Sequence, residues 1–234
     1  MASGKSVGRV IGLALLALVA LFVIVQTYFA AMILWYRWQP PRETAFMAQR
    51  LEELHAKDPK AAIRYTWVPY ARISIHLKRA VVAAEDAKFL EHDGFDWEGI
   101  AKAREKNAKK GRVVAGGSTI TQQLAKNLFL SPDKSYLRKG QEAIIAAMME
   151  AMLPKQRILE LYLNVIEWGN GVFGAEAAAR RYYNAPAASL GAEASARLAS
   201  MIPSPRRFER NPGSEYLDGR VATILARMPS AEIP

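Results

Sequence analysis

The sequence predicts an all-α domain carried behind a single N-terminal transmembrane helix. Three observations point there. From Val10 to Tyr36 no side chain is charged, a run longer than the ~20 residues that span a bilayer as a helix. Beyond it, apolar residues return at helical spacing, as in Leu77, Ala80, Val81 and Ala84 and again in Ile120, Leu124 and Leu128, while only Arg64–Tyr70 reads as extended. The 234 residues leave room for that anchor and one domain of ordinary size, with no space for a second enzyme.

Residues 1–9 form a short basic tail with Lys5 and Arg9, and residues 10–36 form the anchor. Tyr28, Trp35, Tyr36 and Trp38 cluster at its far end, where amphipathic rings favour the headgroup zone. A cleaved signal peptide is the alternative, but the run is longer than a usual signal core and lacks a clear small-x-small cleavage site. Flanking charge leaves orientation open, because Arg37 and Arg42 nearly balance Lys5 and Arg9. Pro40-Pro41 ends the anchor and begins a membrane-proximal segment, residues 37–72. There Glu43–Lys57 reads as an amphipathic helix whose Phe46, Met47 and Leu51 are expected to graze the bilayer.

The main domain, residues 73–234, opens with a helix from Ser74 that runs into a cluster of acids. Glu85, Phe89 and His92 share one face of it, and Asp93-Gly94 breaks the helix. Trp97–Lys110 is a helix with a basic face, Lys102, Arg104, Lys106, Lys109 and Lys110, and Gly111–Gly117 reads as a mobile loop. Ser118 is a suitable N-cap for the next helix. After a turn at Ser131–Lys134, Ser135–Met152 is a long, largely apolar helix with Arg138 and Glu142 at i, i+4. Pro154 opens another helix as its first residue, carrying Ile158, Leu159, Tyr162, Leu163 and Ile166, with Glu160 and Asn164 as buried hydrogen-bonding groups. Ala175–Tyr183 and Leu190–Ile202 are two further helices, Pro203–Pro212 is a loop, and a last helix runs to Met228.

Composition narrows the chemistry. The formal net charge of +10 calls for an anionic partner: nucleic acid, anionic headgroups or a phosphorylated substrate. A basic face beside a membrane anchor is suited to headgroups, whereas nucleic acid is the poorer reading because no aromatic stacking residues interleave with those cations. Zero cysteines exclude disulfides, thiolate catalysis and cysteine-held metals. His55, His76 and His92 make no metal-binding spacing.

The most informative stretch is Gly116-Gly117-Ser118-Thr119-Ile120-Thr121-Gln122-Gln123-Leu124-Ala125-Lys126-Asn127. Thr119, Gln122, Gln123 and Lys126 fall on one helical face, poor in charge and rich in groups that donate and accept hydrogen bonds, below a helix N-terminus that favours anions. That is a plausible cradle for phosphate or sugar, although an ordinary amphipathic helix has the same period. A P-loop is rejected, since Gly117 stands where the phosphate lysine must be, and Ser131-x-x-Lys134 lacks the Lys-Thr-Gly partner of a transpeptidase. A lone glutamate at Glu85 would ordinarily be paired with Lys88 or solvent.

These twelve residues resemble the signature of the peptidoglycan glycosyltransferases, which polymerise lipid II. Three further motifs in order strengthen the resemblance: Glu85-Asp86-x-x-Phe89-x-x-His92-x-Gly94-x-Asp96, Arg138-Lys139-x-x-Glu142-Ala143, and Ile158-Leu159-Glu160-x-Tyr162-Leu163-Asn164 followed by Trp168-Gly169-x-Gly171-x-x-Gly174. The resemblance covers Ile73–Asn211 and implies a lysozyme-like, two-lobed helical fold, of the monofunctional type. It implies that Glu85 is the catalytic base and Glu142 a second functional carboxylate. Lys126, Arg138 and Lys134 would hold the pyrophosphate, with Ser118, Thr119, Gln122 and Gln123 binding substrate and Asp86, Phe89, His92 and Asn164 supporting the site. Lys134 keeps the charge of the arginine common in the family and loses its bidentate fork. The resemblance further implies lipid II and a lipid-linked glycan chain as substrates, a divalent cation (Mg or Mn), other wall-synthesis or division proteins as partners, and an inner-membrane location with a cytoplasmic N-terminus and a periplasmic domain. Two rival readings share parts of this pattern: a lysozyme-type enzyme that cleaves peptidoglycan, and a non-enzymatic scaffold for wall synthesis.

Overall fold

The N-terminal sequence forms one uninterrupted helix, α1 (Ala2–Tyr36), whose Val7–Tyr36 portion is 30 residues long and contains an 18-residue window of mean hydropathy 2.7. The computed structural model of the protein describes residues 2–112, 116–133 and 135–234. At about 1.5 Å per residue the apolar portion exceeds the ~30 Å hydrocarbon layer, and the surplus is used at the C-terminal end. Side chains from Val7 through Val25 are exposed, Gln26 is half-buried, and Ile33 and Tyr36 are buried against the domain. Phe29 and Tyr36 lie on Phe129, with ring centroids 5.4 and 5.9 Å apart. Arg157 donates to the Tyr36 carbonyl at 2.7 Å, satisfying one of the acceptors a helix end leaves free.

After α1 come α2 (Ala45–His55), β1 (Arg64–Tyr65), α3 (Ile75–Glu85), α4 (Trp97–Lys110), α5 (Ile120–Phe129), α6 (Tyr136–Met152) and α7 (Lys155–Val165). The chain then forms β2 (Glu167–Gly169), β3 (Val172–Phe173), α8 (Ala175–Tyr183), α9 (Ala192–Met201), α10 (Pro205–Arg210) and α11 (Glu215–Arg227). The all-α expectation holds, with a small sheet of order β1-β3-β2 as the addition. The glycine-rich stretch after α7 makes that sheet. Gly171 and Gly174 adopt φ of +71° and +83°, and a Cβ on Gly174 would stand 2.6 Å from the Asn164 carbonyl oxygen. Only glycine fits this turn.

Several sequence expectations need correction. Met47 is a core residue, 2 % exposed, and Phe46 packs on the core with the Lys126 ammonium over its ring at 5.4 Å, so neither grazes a bilayer. Thr44 caps α2 and turns these side chains inward. Pro203–Pro212 is not a continuous loop, because Pro205, favoured in a first helical turn, starts α10. Pro154 is the N-cap of α7 rather than its first residue, and Thr119 rather than Ser118 caps α5. Of the loop expected at Gly111–Gly117, Val113, Val114 and Ala115 lie outside the described residues.

The helices assemble as two groups. α3 packs with α9 and α11, and α5 packs with α6 and α7. Alanine and serine make the first group tight: Ala80, Ala83, Ser195, Ala196, Ala199 and Ser200 are all buried along α3 and α9. Larger side chains fill the second, with Ile120, Leu124, Ile145, Met149, Ile158 and Tyr162 wholly buried. The groups meet where the end of α3 approaches the start of α5, and Glu85 stands at that junction.

Candidate active site

The two helix ends at the junction are tied by one hydrogen-bonded network. Asp86, buried just past the end of α3, accepts from the Ile120 backbone amide and from His92 Nε2, both at 2.9 Å. The Gly94 amide donates to His92 Nδ1 at 3.2 Å, so the network assigns the neutral ring with its proton on Nε2. The Thr119 hydroxyl donates to the Gly94 carbonyl at 2.7 Å. Thr119 and Gln122 form a reciprocal capping box, each side chain bonded to the other's backbone amide at 3.2 Å.

This network revises the sequence reading of α5. The amides of Thr119, Ile120 and Gln122 are satisfied internally, and the Asp86 carboxylate occupies the helix N-terminus where an anion was expected. Thr119 and Gln122 are buried, so the polar face reduces to Gln123 and Lys126. Phe89 is wholly buried beneath, with the Lys155 ammonium 4.7 Å from its ring centre. Asn164 works elsewhere: its amide bonds both backbone groups of Val68 at 3.0 Å and the Glu160 carbonyl at 2.9 Å. It fixes α7 to the segment before α3.

Gln123 holds the carboxylate at the junction. Its Nε2 donates to Glu85 Oε2 at 3.0 Å, and its Oε1 accepts from the Tyr162 hydroxyl at 2.9 Å, which fixes the amide orientation. Burial pushes the Glu85 carboxyl above its ordinary pKa, against the Gln123 hydrogen bond and the charge of Arg220, with Asp86 adding to the rise and Lys126 opposing it. Burial likewise lowers the Lys126 ammonium, opposed by Glu142 and assisted by Arg138 and Lys139. Lys126 thus feels both predicted carboxylates.

Glu142 is 3 % exposed and bound by two cations, Arg138 at 2.6 Å and Lys139. Lys139 also donates to the Ser118 hydroxyl at 3.1 Å, so Ser118, Arg138, Lys139 and Glu142 form one cluster across α6 and the segment before α5. Lys134 lies outside the described residues. No group of three or more His, Asp or Glu that would hold a metal ion occurs among the described residues. The donor set offered by Glu142 is already engaged by Arg138 and Lys139, so these side chains do not fit a protein-held divalent cation.

Gln123 and Lys126 stand at one end of a cleft of about 1120 Å³ that extends to α10 and includes the β2–β3 strands. Its walls carry eight basic side chains and three acidic ones. Arg50, Arg206 and Arg181 pair with those acids, Glu167, Glu53 and Glu209, at 2.7, 3.2 and 3.6 Å, so Lys57, Arg64, Lys126, Arg207 and Arg210 are left without an ion pair among the described residues. Such a surface suits an elongated anionic ligand.

Sequence reasoning missed three residues that touch the predicted ones. Lys139 was visible beside Arg138 but given no role, Tyr162 was read only as core, and Arg220 belongs to no motif. Arg220 lies 3.8 Å from Glu85 Oε1 and reaches it from α11.

Residues 49–229 match the family described as Transglycosylase. The chain is 61 % identical over 230 residues to a biosynthetic peptidoglycan transglycosylase of Dechloromonas aromatica, covering 98 % of this chain and 100 % of that one. Proteins of the same description from Azoarcus sp. and Bordetella pertussis are 57 % and 54 % identical, covering 98 % and 97 % of this chain and 99 % and 95 % of theirs. The match begins in α2, ends after α11 and contains the Glu85 junction, the Glu142 cluster and the cleft: the chain belongs to the transglycosylase family.

Proposed function

We propose that this protein is a membrane-anchored peptidoglycan glycosyltransferase that polymerises glycan strands, with Glu85 as its general base. The GlcNAc 4-hydroxyl of lipid II gives its proton to Glu85 and attacks the anomeric carbon of the lipid-linked growing chain. The bond from that carbon to the pyrophosphate oxygen breaks, the α-linkage inverts to a β-1,4 bond, and undecaprenyl pyrophosphate leaves as an anion. Inversion in one displacement needs no covalent enzyme intermediate. A stable anionic leaving group calls for cations rather than a strong proton donor, and Lys126 and Arg138 supply them. No step runs through a metal ion.

One observation carries the reading: Glu85 is a buried carboxylate with one oxygen held by Gln123, beside Lys126 and the cationic cleft. Its upward pKa direction would also serve the acid of a lysozyme-type hydrolase. A base, however, is most effective when its pKa lies near the working pH, so the same direction favours proton abstraction from a hydroxyl. The unpaired cations then decide, because a hydrolase acting on neutral glycosidic bonds has no pyrophosphate to hold.

The single apolar helix α1 fits a single-pass anchor. We place the domain in the periplasm and the N-terminus in the cytoplasm, at the inner membrane, where lipid II and its lipid leaving group reside. Tethering confines enzyme and substrate to one surface and raises their effective concentration. Polymerisation of labelled lipid II by the detergent-solubilised protein tests the reading. Long strands from the wild type and none from Glu85→Gln are expected. Cleavage of purified wall material without polymerisation would overturn it in favour of the hydrolase, and absence of both activities would leave the scaffold role.

A further inference from the structure

The Glu85 carboxylate is held unequally. Oε2 takes a hydrogen bond from Gln123, whereas Oε1 faces Arg220, the one cation within 4 Å of Glu85 among the described residues, at 3.8 Å. Arg220 does not resemble a solvated surface arginine. Its side chain is 28 % exposed, and its Nε is buried with no hydrogen-bond partner among the described residues. Burying a guanidinium nitrogen unpaired is costly, so a function at Glu85 would explain why the residue stands there.

The surroundings show what that function must be. Asp86 adjoins Glu85 from the end of α3, Gln123 and Lys126 face it from α5, Tyr162 from α7 and Arg220 from α11. Tyr162 is pushed well above its ordinary pKa by burial and stays neutral, and Asp86 repels a second negative charge. Lys126 has its own task at the leaving group and is itself weakened by burial. Arg220 alone carries a fixed positive charge that no other step employs.

We propose that Arg220 is a positioning residue for the reaction, its guanidinium keeping the Oε1 side of Glu85 anionic and oriented while Gln123 holds Oε2. The inference rests on Glu85 being the base. It ties α11, at the far end of the chain, to the chemistry at the end of α3. A second cavity of about 310 Å³ opens on the α3–α11 seam, lined by Ala83, Ala84, Tyr216, Arg220, Thr223 and Arg227. That opening makes the site reachable by a small solute.

The test is the pH dependence of lipid II polymerisation by the full-length protein in detergent. Wild type, Arg220→Lys, Arg220→Met and Arg220→Ala are compared, the last with and without guanidinium chloride at non-denaturing concentration. In Arg220→Met the acidic limb of kcat should move to higher pH, giving about a tenfold loss below the limb for each unit of displacement, with recovery at alkaline pH and little change in KM. Arg220→Lys should keep the limb near its wild-type position, and guanidinium should restore Arg220→Ala but not Glu85→Gln. An unmoved limb with kcat lowered evenly at all pH, or a lysine variant as impaired as methionine with no rescue by guanidinium, would reduce Arg220 to a structural role. If the methionine variant does not fold, the lysine profile and the rescue still decide. A wild type that makes no strands would instead remove the polymerase reading itself, and that outcome is visible before any variant is compared.

Discussion

At the residue scale the junction separates chemistry from support. Glu85→Gln keeps the Gln123 contact sterically and removes the proposed base, so polymerisation should fall by about 10²–10⁴-fold, read as the initial rate of strand formation. The same substitution has an opposite effect on stability. Burial raises the folded-state pKa of Glu85, so the folded protein binds this proton more tightly than the unfolded chain; wild type therefore loses stability as pH rises through the folded pKa. Glu85→Gln should be the more stable protein at neutral pH, and the difference should vanish in acid, checked by thermal melting across pH. Asp86→Ala should behave differently. It leaves the Ile120 amide and His92 without their acceptor, a loss of about 1–3 kcal/mol for each buried group orphaned, and lowers the melting temperature at neutral pH. Glu85, Gln123, Lys126 and Glu142 were legible because short motifs place them. Arg220 was not, because its contact with Glu85 spans most of the domain and leaves no local pattern. Thr119 and Gln122 misled for a physical reason: residues good at binding ligands are equally good at capping helices, and α5 uses them for the cap.

At the element scale, helix existence was legible and helix ends were not. α4 is the exception: it spans Trp97–Lys110 as expected, and its Asp96 N-cap and left-handed Gly111 C-cap are both local signals. α5 starts one residue later than Ser118 predicts, because Asp86 and Gly94, distant in sequence, select Thr119 as the cap. The β2–β3 turn escaped a helical reading since its strands are only two and three residues long, although the glycines marked a turn. These glycines give the element its own test. Gly174→Ala would force a side chain onto φ of +83° and into the Asn164 carbonyl 2.6 Å away. A cost of about 1–3 kcal/mol is expected, lowering the melting temperature by several degrees. Gly140→Ala on α6, where nothing lies within 4 Å of the added carbon, should be neutral or slightly stabilising in the same melt.

At the scale of the whole molecule, the C-terminal part of α1 packs directly on the domain, chiefly along α6. Gln26 is the seventeenth residue of the apolar run that follows Arg9, about 25 Å along the helix. An amide left unpaired on so apolar a helix is unfavourable. Gln141 of α6 answers it with reciprocal hydrogen bonds of 3.1 and 2.9 Å. Arg37 donates to the Met152 carbonyl at 2.7 Å, so α6 runs alongside the same stretch of α1, and its exposed positions share one face. Tyr136 and Leu137 are 99 % and 87 % exposed, and Gly140, Ile144, Ala147 and Ala151 continue an uncharged face along the helix. A soluble domain would not leave such a stripe to water. Because the native chain has no cysteine, a single environment-sensitive label can be placed at Leu137→Cys in the reconstituted protein. Lipid-borne quenchers should quench it strongly, and a label at Glu215→Cys on α11 hardly at all. The amide pair is tested separately. Gln26→Leu and Gln141→Leu should each impair the protein in bilayers more than the double substitution does, with a coupling of about 1 kcal/mol, because each single change leaves one amide unpaired in lipid. Unquenched Leu137 together with additive losses would mean that the domain stands clear of the membrane and that substrate must be lifted to it.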